Sequence, residues 1–281
     1  MISAASDTTF PVKSSPSVAR PKVRLRGIAL PNEHGSWGIL FEPLVAAVAI
    51  AFSVVAPFVA LLFIGAFLMR QPLKIYLADL KAGRDLPQTS AARRYILFYT
   101  VIFAAGLAGT LVTASLTSLI PLAVVAPLAA VQIYYDVARR SRQLIPELTG
   151  AIALSSSAAL IALAAGWTPA AAAALSVIFI FRLIPSILYV RNRLLLEKGK
   201  KYSAALPVAA HAVALLGTIA LIAYDLCSIL TVTMIAVLFV RSLIGLSSFR
   251  RKRKAMQIGV HEVIYGALTV LSVILGHYLQ V

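Results

Sequence analysis

The sequence predicts an all-α membrane bundle of nine transmembrane helices, and three observations carry that reading. Of 281 residues, 60% are hydrophobic and 13% charged, with a mean hydropathy of +0.90, far too apolar for an ordinary soluble domain. Apolar runs of about 20 residues, the length needed to cross a ~30 Å hydrocarbon core, recur along the chain. All 26 Lys and Arg fall in five clusters, before residue 35 and over 70–94, 139–142, 182–201 and 241–254, and the intervening turns hold none. That is the positive-inside pattern. A formal net charge of +16 would suggest nucleic acid in a soluble chain, but charges confined to alternate loops serve membrane topology, so no nucleic-acid partner is expected.

Taken in order, residues 1–29 are rich in Ser, Pro, Ala and Val with scattered Lys and Arg. They lack the apolar core of a secretory signal and are expected to be a disordered basic cytoplasmic tail, with Lys22, Arg24 and Arg26 beside anionic headgroups. A transmembrane domain over 30–281 follows, with helices expected at 36–54, 57–78, 92–115, 118–138, 145–165, 169–191, 203–224, 226–246 and 257–280. With the amino terminus in the cytoplasm, this order puts every basic cluster on the inner side of the cytoplasmic membrane, among its lipids. The outer turns, near residues 55–57, 116–121, 166–169 and 224–227, are short and charge-poor, leaving little room for chemistry. The single Cys227 excludes an internal disulfide and a cysteine metal site.

An internal repeat is visible. Pro72, Tyr76 and Asp79 align with Pro185, Tyr189 and Asn192 at a shift of 113, and Glu147 aligns with Glu262 at 115. The aligned helices run in the same direction, which predicts a parallel four-helix pseudo-repeat over about 57–165 and 169–280. Each of the two prolines should free a helix carbonyl near the inner end of its helix, or simply kink it for packing.

The first helix carries the densest cluster of unusual residues. Pro31 and Gly35 turn the chain, Trp37 suits the headgroup level, and His34, Gly38 and Glu42 recur every four residues on one helical face. Glu42 then lies about 12 Å deeper than His34, where a carboxylate needs a partner. Interfacial capping of the helix start is the plainer alternative. Arg70 and Lys74, four apart inside the second helix, are the expected partners, with His34 beside Asp79. Pooling polar residues at the inner ends gives acids Glu42, Asp79, Asp85, Asp136, Glu147 and Glu262 and bases His34, Arg70, Lys74, Arg84, Arg139, Arg140, Arg193 and His261. Such a charged cup over an apolar bundle suits a phosphate headgroup, a divalent cation and an apolar tail.

These features carry a resemblance. Nine helices, a parallel repeat after an extra first helix, acidic residues after helices two and six, and Tyr135-Asp136 followed by the Arg139-Arg140 pair and Gly150 resemble the UbiA-type intramembrane prenyltransferases. The closer resemblance is to the YwiC-like family of bacterial membrane proteins: Pro31, His34, Gly35 and Trp37 match its first-helix patch, with weaker matches at 72–74, 146–150, 189–191, 258–259 and Glu262. Spacing, the pooled inner-end residues and the resemblance together give an expected substrate-binding set of His34, Trp37, Glu42, Arg70, Lys74, Tyr135, Arg139, Glu147, Arg193 and Glu262. The UbiA resemblance also implies Mg²⁺ at what remains of the UbiA aspartate motifs. Only Asp79 and Asp85 survive after helix two, while Arg191-Asn192-Arg193 and Glu197 follow helix six, so one ion is conceivable and a paired cluster is not. Three readings follow: a UbiA-like transferase acting on an isoprenoid or lipid phosphate with degenerate aspartate motifs, a noncatalytic lipid or quinone binding protein, or a small-molecule or ion transporter using Glu42, Glu147 and Glu262.

Overall fold

The computed structural model describes residues 25–31, 34–138, 140–141 and 143–280, without the side chain of His34. A short helix α1 (Leu25–Ala29) precedes nine longer ones: α2 (His34–Ile50), α3 (Ala56–Lys81), α4 (Pro87–Thr113), α5 (Ile120–Val137), α6 (Leu144–Ala164), α7 (Pro169–Glu197), α8 (Ala205–Ile222), α9 (Ile229–Leu246) and α10 (Ala255–Leu279). The nine correspond one for one to the expected apolar runs. Among the described residues eight helices are long and apolar enough to cross a membrane, whereas the first is a shorter apolar helix. At 17 residues, α2 spans about 25 Å, short of a ~30 Å core. It packs against α6 and α10, so the protein interior, rather than lipid, receives much of its surface.

Helical structure begins before residue 30, within the stretch expected to be a tail. Ile28 and Ala29 of α1 are buried, and Tyr99 Oη of α4 donates to the Ala29 carbonyl at 3.0 Å. Residues 1–24, with Lys22 and Arg24, lie outside the described residues. Helices α4 and α7 run further than hydropathy predicts, to Pro87 and to Glu197, because helix hydrogen bonding does not stop where the apolar run does. Pro72 and Pro185 are buried inside α3 and α7, which continue through both.

Helices α6 and α7 form the centre. Small residues on α6, including Ser155, Ala158, Ala159 and Ala162, are almost wholly buried and let the backbones approach. Ser176 on α7 uses that proximity: its Oγ donates to the Ser155 carbonyl at 2.7 Å and accepts from the Ala159 amide at 3.2 Å. A core of Leu40, Leu44, Val59, Phe63, Leu160, Leu175 and Phe179 joins α2, α3, α6 and α7. Helices α4 and α5 lie at the edge. Among the described residues both pack on α3 but not along one another, whereas α8 and α9 pack together.

Candidate functional site

The first-helix stripe builds its site with a different partner from the expected one. Glu42, 7% exposed, meets Arg182 of α7, 2% exposed, rather than Arg70 or Lys74. Arg182 Nε lies 3.3 Å from Glu42 Oε2, and Arg182 Nη1 lies 3.5 Å from Glu262 Oε2. Arg182 Nη2 also donates to the Glu262 carbonyl at 3.0 Å, and Nη1 donates to Ser186 Oγ. Glu262 in turn pairs with Arg241 of α9. The result is an alternating Glu42–Arg182–Glu262–Arg241 chain across α2, α7, α10 and α9, with two charges of each sign. In a low-dielectric interior only such neutral pairing makes the ionised groups tolerable.

Two glycines make room for it. A Cβ at Gly266 would collide with the Glu42 carboxylate, and one at Gly38 would lie 3.0 Å from Glu42 Oε1. The bare position in the His34–Gly38–Glu42 stripe therefore has a steric reason. Aromatic rings close the other side: the Arg241 guanidinium sits 4.2 Å from the Tyr189 ring centroid and 4.9 Å from that of Tyr265, a cation–π arrangement strengthened by desolvation. His211 of α8 meets Tyr189 edge-on at 6.4 Å, and its Nδ1 lies 2.8 Å from the Pro207 carbonyl.

Arg70 and Lys74 belong to a second cluster. Arg70 Nε donates to Asp136 Oδ2 at 2.6 Å and Nη2 donates to Oδ1 at 3.1 Å, the fork geometry of a bidentate pair. Lys74 Nζ is 3.9 Å from the same carboxylate. Asp136 is buried at the last turn of α5, and its neighbour Tyr135 packs beside Tyr134 with ring centroids 5.5 Å apart.

The remaining expected residues are distributed. Trp37 stacks on Phe41 at 5.9 Å and meets Phe67 edge-on at 5.2 Å, so it packs into the bundle. Glu147 accepts from Arg191 Nη1 at 2.8 Å. Arg193, 3% exposed, donates to the carbonyls of Gly245 and Arg251 and pairs with Glu197 at 2.8 Å, which ties the end of α9 to α7 instead of presenting a binding group. Arg139 and the side chain of His34 lie outside the described residues.

The residues expected to hold Mg²⁺ do not fit it. Asp79 accepts from Gln88 Nε2 at 3.0 and 3.3 Å and from Thr89 Oγ1 at 2.7 Å. Its carboxylate thus fastens the end of α3 to the start of α4, and Asp85 is exposed. Among the described residues no group of three His, Cys, Asp or Glu side chains converges as a metal would require.

Sequence reasoning missed Arg182, Arg241, Ser186 and Tyr265, and singled out Tyr189 only through the repeat and the family resemblance, because both arginines fell in basic clusters read as topology signals. A signal was present. Arg182 lies 13 residues inside the 29-residue α7, too deep for a surface anchor, and an ionisable residue at that depth faces protein. The charge-poor turns hold a further departure from expectation: a cavity of about 500 Å³ lies among Trp167, Asp225, Ser228 and His277, so that end of the bundle does have room for a ligand.

Comparison with known proteins agrees with the resemblance. Residues 30–162 match the family model of YwiC-like protein; the weaker matches at 189–191, 258–259 and Glu262 fall beyond that segment. A solved structure of digeranylgeranylglyceryl phosphate synthase, a UbiA-type prenyltransferase, is similar with a TM-score of 0.60 and 13% identity, covering 90% of this chain and 96% of the other. A search of curated proteins found no match. The chain is therefore a multi-pass membrane protein of UbiA-type fold in which residues 30–162 match the YwiC-like family.

Proposed function

We propose that the protein binds an isoprenoid or lipid phosphate, holding the phosphate on cationic side chains of α3 rather than on a metal ion. The observation that carries this is the accessibility of Arg70 and Lys74. They lie one turn apart, and their side chains are 30% and 26% exposed, while Arg182 and Arg193 are sealed at 2% and 3%. A guanidinium and an ammonium one turn apart suit a phosphate, with Asp136 holding the guanidinium in place. The apolar tail has a place as well: α4 and α5 both flank α3 without packing along one another, leaving the Arg70–Lys74 helix open to the hydrocarbon layer. The aspartates that would ionise an allylic diphosphate through metal are engaged or exposed, which favours binding over prenyl transfer.

Native mass spectrometry of gently solubilised protein with farnesyl phosphate and farnesol tests the reading. Farnesyl phosphate is expected to bind about tenfold or more tighter than farnesol, and EDTA to leave the difference intact. Arg70→Gln is expected to weaken farnesyl phosphate about 10- to 100-fold, the worth of a charge-assisted hydrogen bond of about 1.5–3 kcal/mol. Equal affinity for the alcohol, or loss of the phosphate with EDTA, would overturn the proposal.

The phosphate site opens to the cytoplasm if the basic loops do. With the amino terminus cytoplasmic, reporter fusions at Lys81, Thr117, Arg142, Thr168, Lys200, Asp225 and Arg253 are expected to alternate inside and outside, beginning inside. Two successive fusions on one side would refute this orientation.

A further inference from the structure

The end of the bundle away from the basic loops carries a built cavity, and we infer that it binds a small amphipathic organic cation, an ammonium group on an apolar body. The cavity measures about 500 Å³, within the range of small-molecule sites. Its inner wall is apolar, formed by Leu175, Ile178 and Val273, and its mouth carries Trp167, Asp225 and His277. The chain has 26 Lys and Arg against 10 Asp and Glu, yet among the described residues the wall holds one carboxylate and no Lys or Arg. The exposed Asp225 carboxylate, with no Lys or Arg beside it in the wall, favours a cation at the mouth. The Trp167 ring at the same mouth, stacked on His277 at 5.3 Å, adds a π surface of the kind that attracts ammonium groups.

The walls are fixed by their own hydrogen bonds rather than left to close on a ligand. Thr168 Oγ1 caps α7 by accepting from the Ala171 amide at 3.2 Å, and Ser228 Oγ caps α9 by accepting from the Thr231 amide at 3.2 Å. Tyr278 Oη donates to the Ala49 carbonyl at 2.7 Å, fastening the end of α10 to the end of α2. A Cβ at Gly276 would run into Ser228, so only glycine lets α10 approach that cap. Asp225 is held at φ +55°, a left-handed conformation that Asp and Asn tolerate better than most residues. Cys227 adds no charge to the wall, since burial pushes its thiol up to about 11.

The chain has two tryptophans, so a Trp37→Phe background leaves Trp167 as a single reporter inside the mouth. In phosphatidylcholine nanodiscs, benzyltrimethylammonium is expected to change Trp167 emission saturably. Its neutral isostere neopentylbenzene, with carbon in place of the charged nitrogen, is expected to bind about tenfold or more weakly. Asp225→Asn should abolish the preference for the cation, and Asp225→Glu should keep it. Equal binding of the two probes, absence of a saturable change with the cation, or an unchanged preference in Asp225→Asn would overturn the inference. The comparison of the two probes on the Trp37→Phe protein decides the matter even where an Asp225 variant fails to fold.

Discussion

Arg182→Met is expected to cost about 3–5 kcal/mol of stability, the penalty for removing one member of a buried ion pair. Arg182 is 2% exposed and touches Glu42, Ser186 and Glu262. Without it Glu42 loses the ion pair that balances its carboxylate, while Glu262 keeps Arg241. A large fall in the thermal midpoint of the solubilised protein, or loss of a monodisperse peak, is the expected measurement. The double variant Arg182→Met with Glu42→Gln should recover much of the loss, because it removes the stranded charge and keeps the volume. A single variant as stable as the parent would show that the network contributes no stability. A double variant no better than the single would assign Arg182 to packing alone.

Gly106→Val should be nearly as damaging for a steric reason. Helices α3 and α4 form the most extensively packed pair in the bundle, and their contact is glycine on both sides. A Cβ at Gly106 would fall on the backbone of Leu62, and one at Gly65 would lie 2.6 Å from the Phe103 amide nitrogen. Backbone cannot swing aside as a side chain can, so the helices must separate, at a cost of about 1–3 kcal/mol or more for overpacking. Separation would also strain the Asp79 bonds to Gln88 and Thr89. Gly259→Ala is the control: nothing lies within 4 Å of a Cβ there, and alanine is the better helix former by about 1 kcal/mol. A thermal midpoint lowered by Gly106→Val and held or raised by Gly259→Ala is the expected pair of results. Equal effects at the two positions would contradict the close approach.

The helices were legible in the sequence because bilayer thickness imposes a length on apolar runs, and the basic clusters marked alternate ends. Even so, length misled at α2, whose expected run of 36–54 extended past Ile50, where the helix ends. The polar face of that helix was legible too: His34, Gly38 and Glu42 share a face by periodicity alone, and a Cβ at Gly38 would lie 3.0 Å from Glu42 Oε1. The partner of Glu42 was not legible. Helix two follows helix one in the chain, which made Arg70 and Lys74 the natural choice, yet α2 packs more extensively on α6 and α10 than on α3. Arg182, 140 residues away in sequence, reaches Glu42 instead. Helix α3 packs on α4, α5 and α6 as α7 packs on α8, α9 and α10, but among the described residues α8 and α9 pack together where α4 and α5 do not.

By itself the sequence determined the solvent, the number of apolar segments and the end of the bundle that carries the basic charge, since each depends on composition over a local window. Tertiary structure alone decided which charges neutralise one another, that Asp79 serves as a helix fastener, and that the charge-poor turns border an open cavity. Those outcomes depend on which helices meet and how closely, which is set by small residues such as Gly106, Ser155 and Gly266 at long-range contacts. Periodicity along one helix places a residue on a face, but it carries no information about the helix opposite that face.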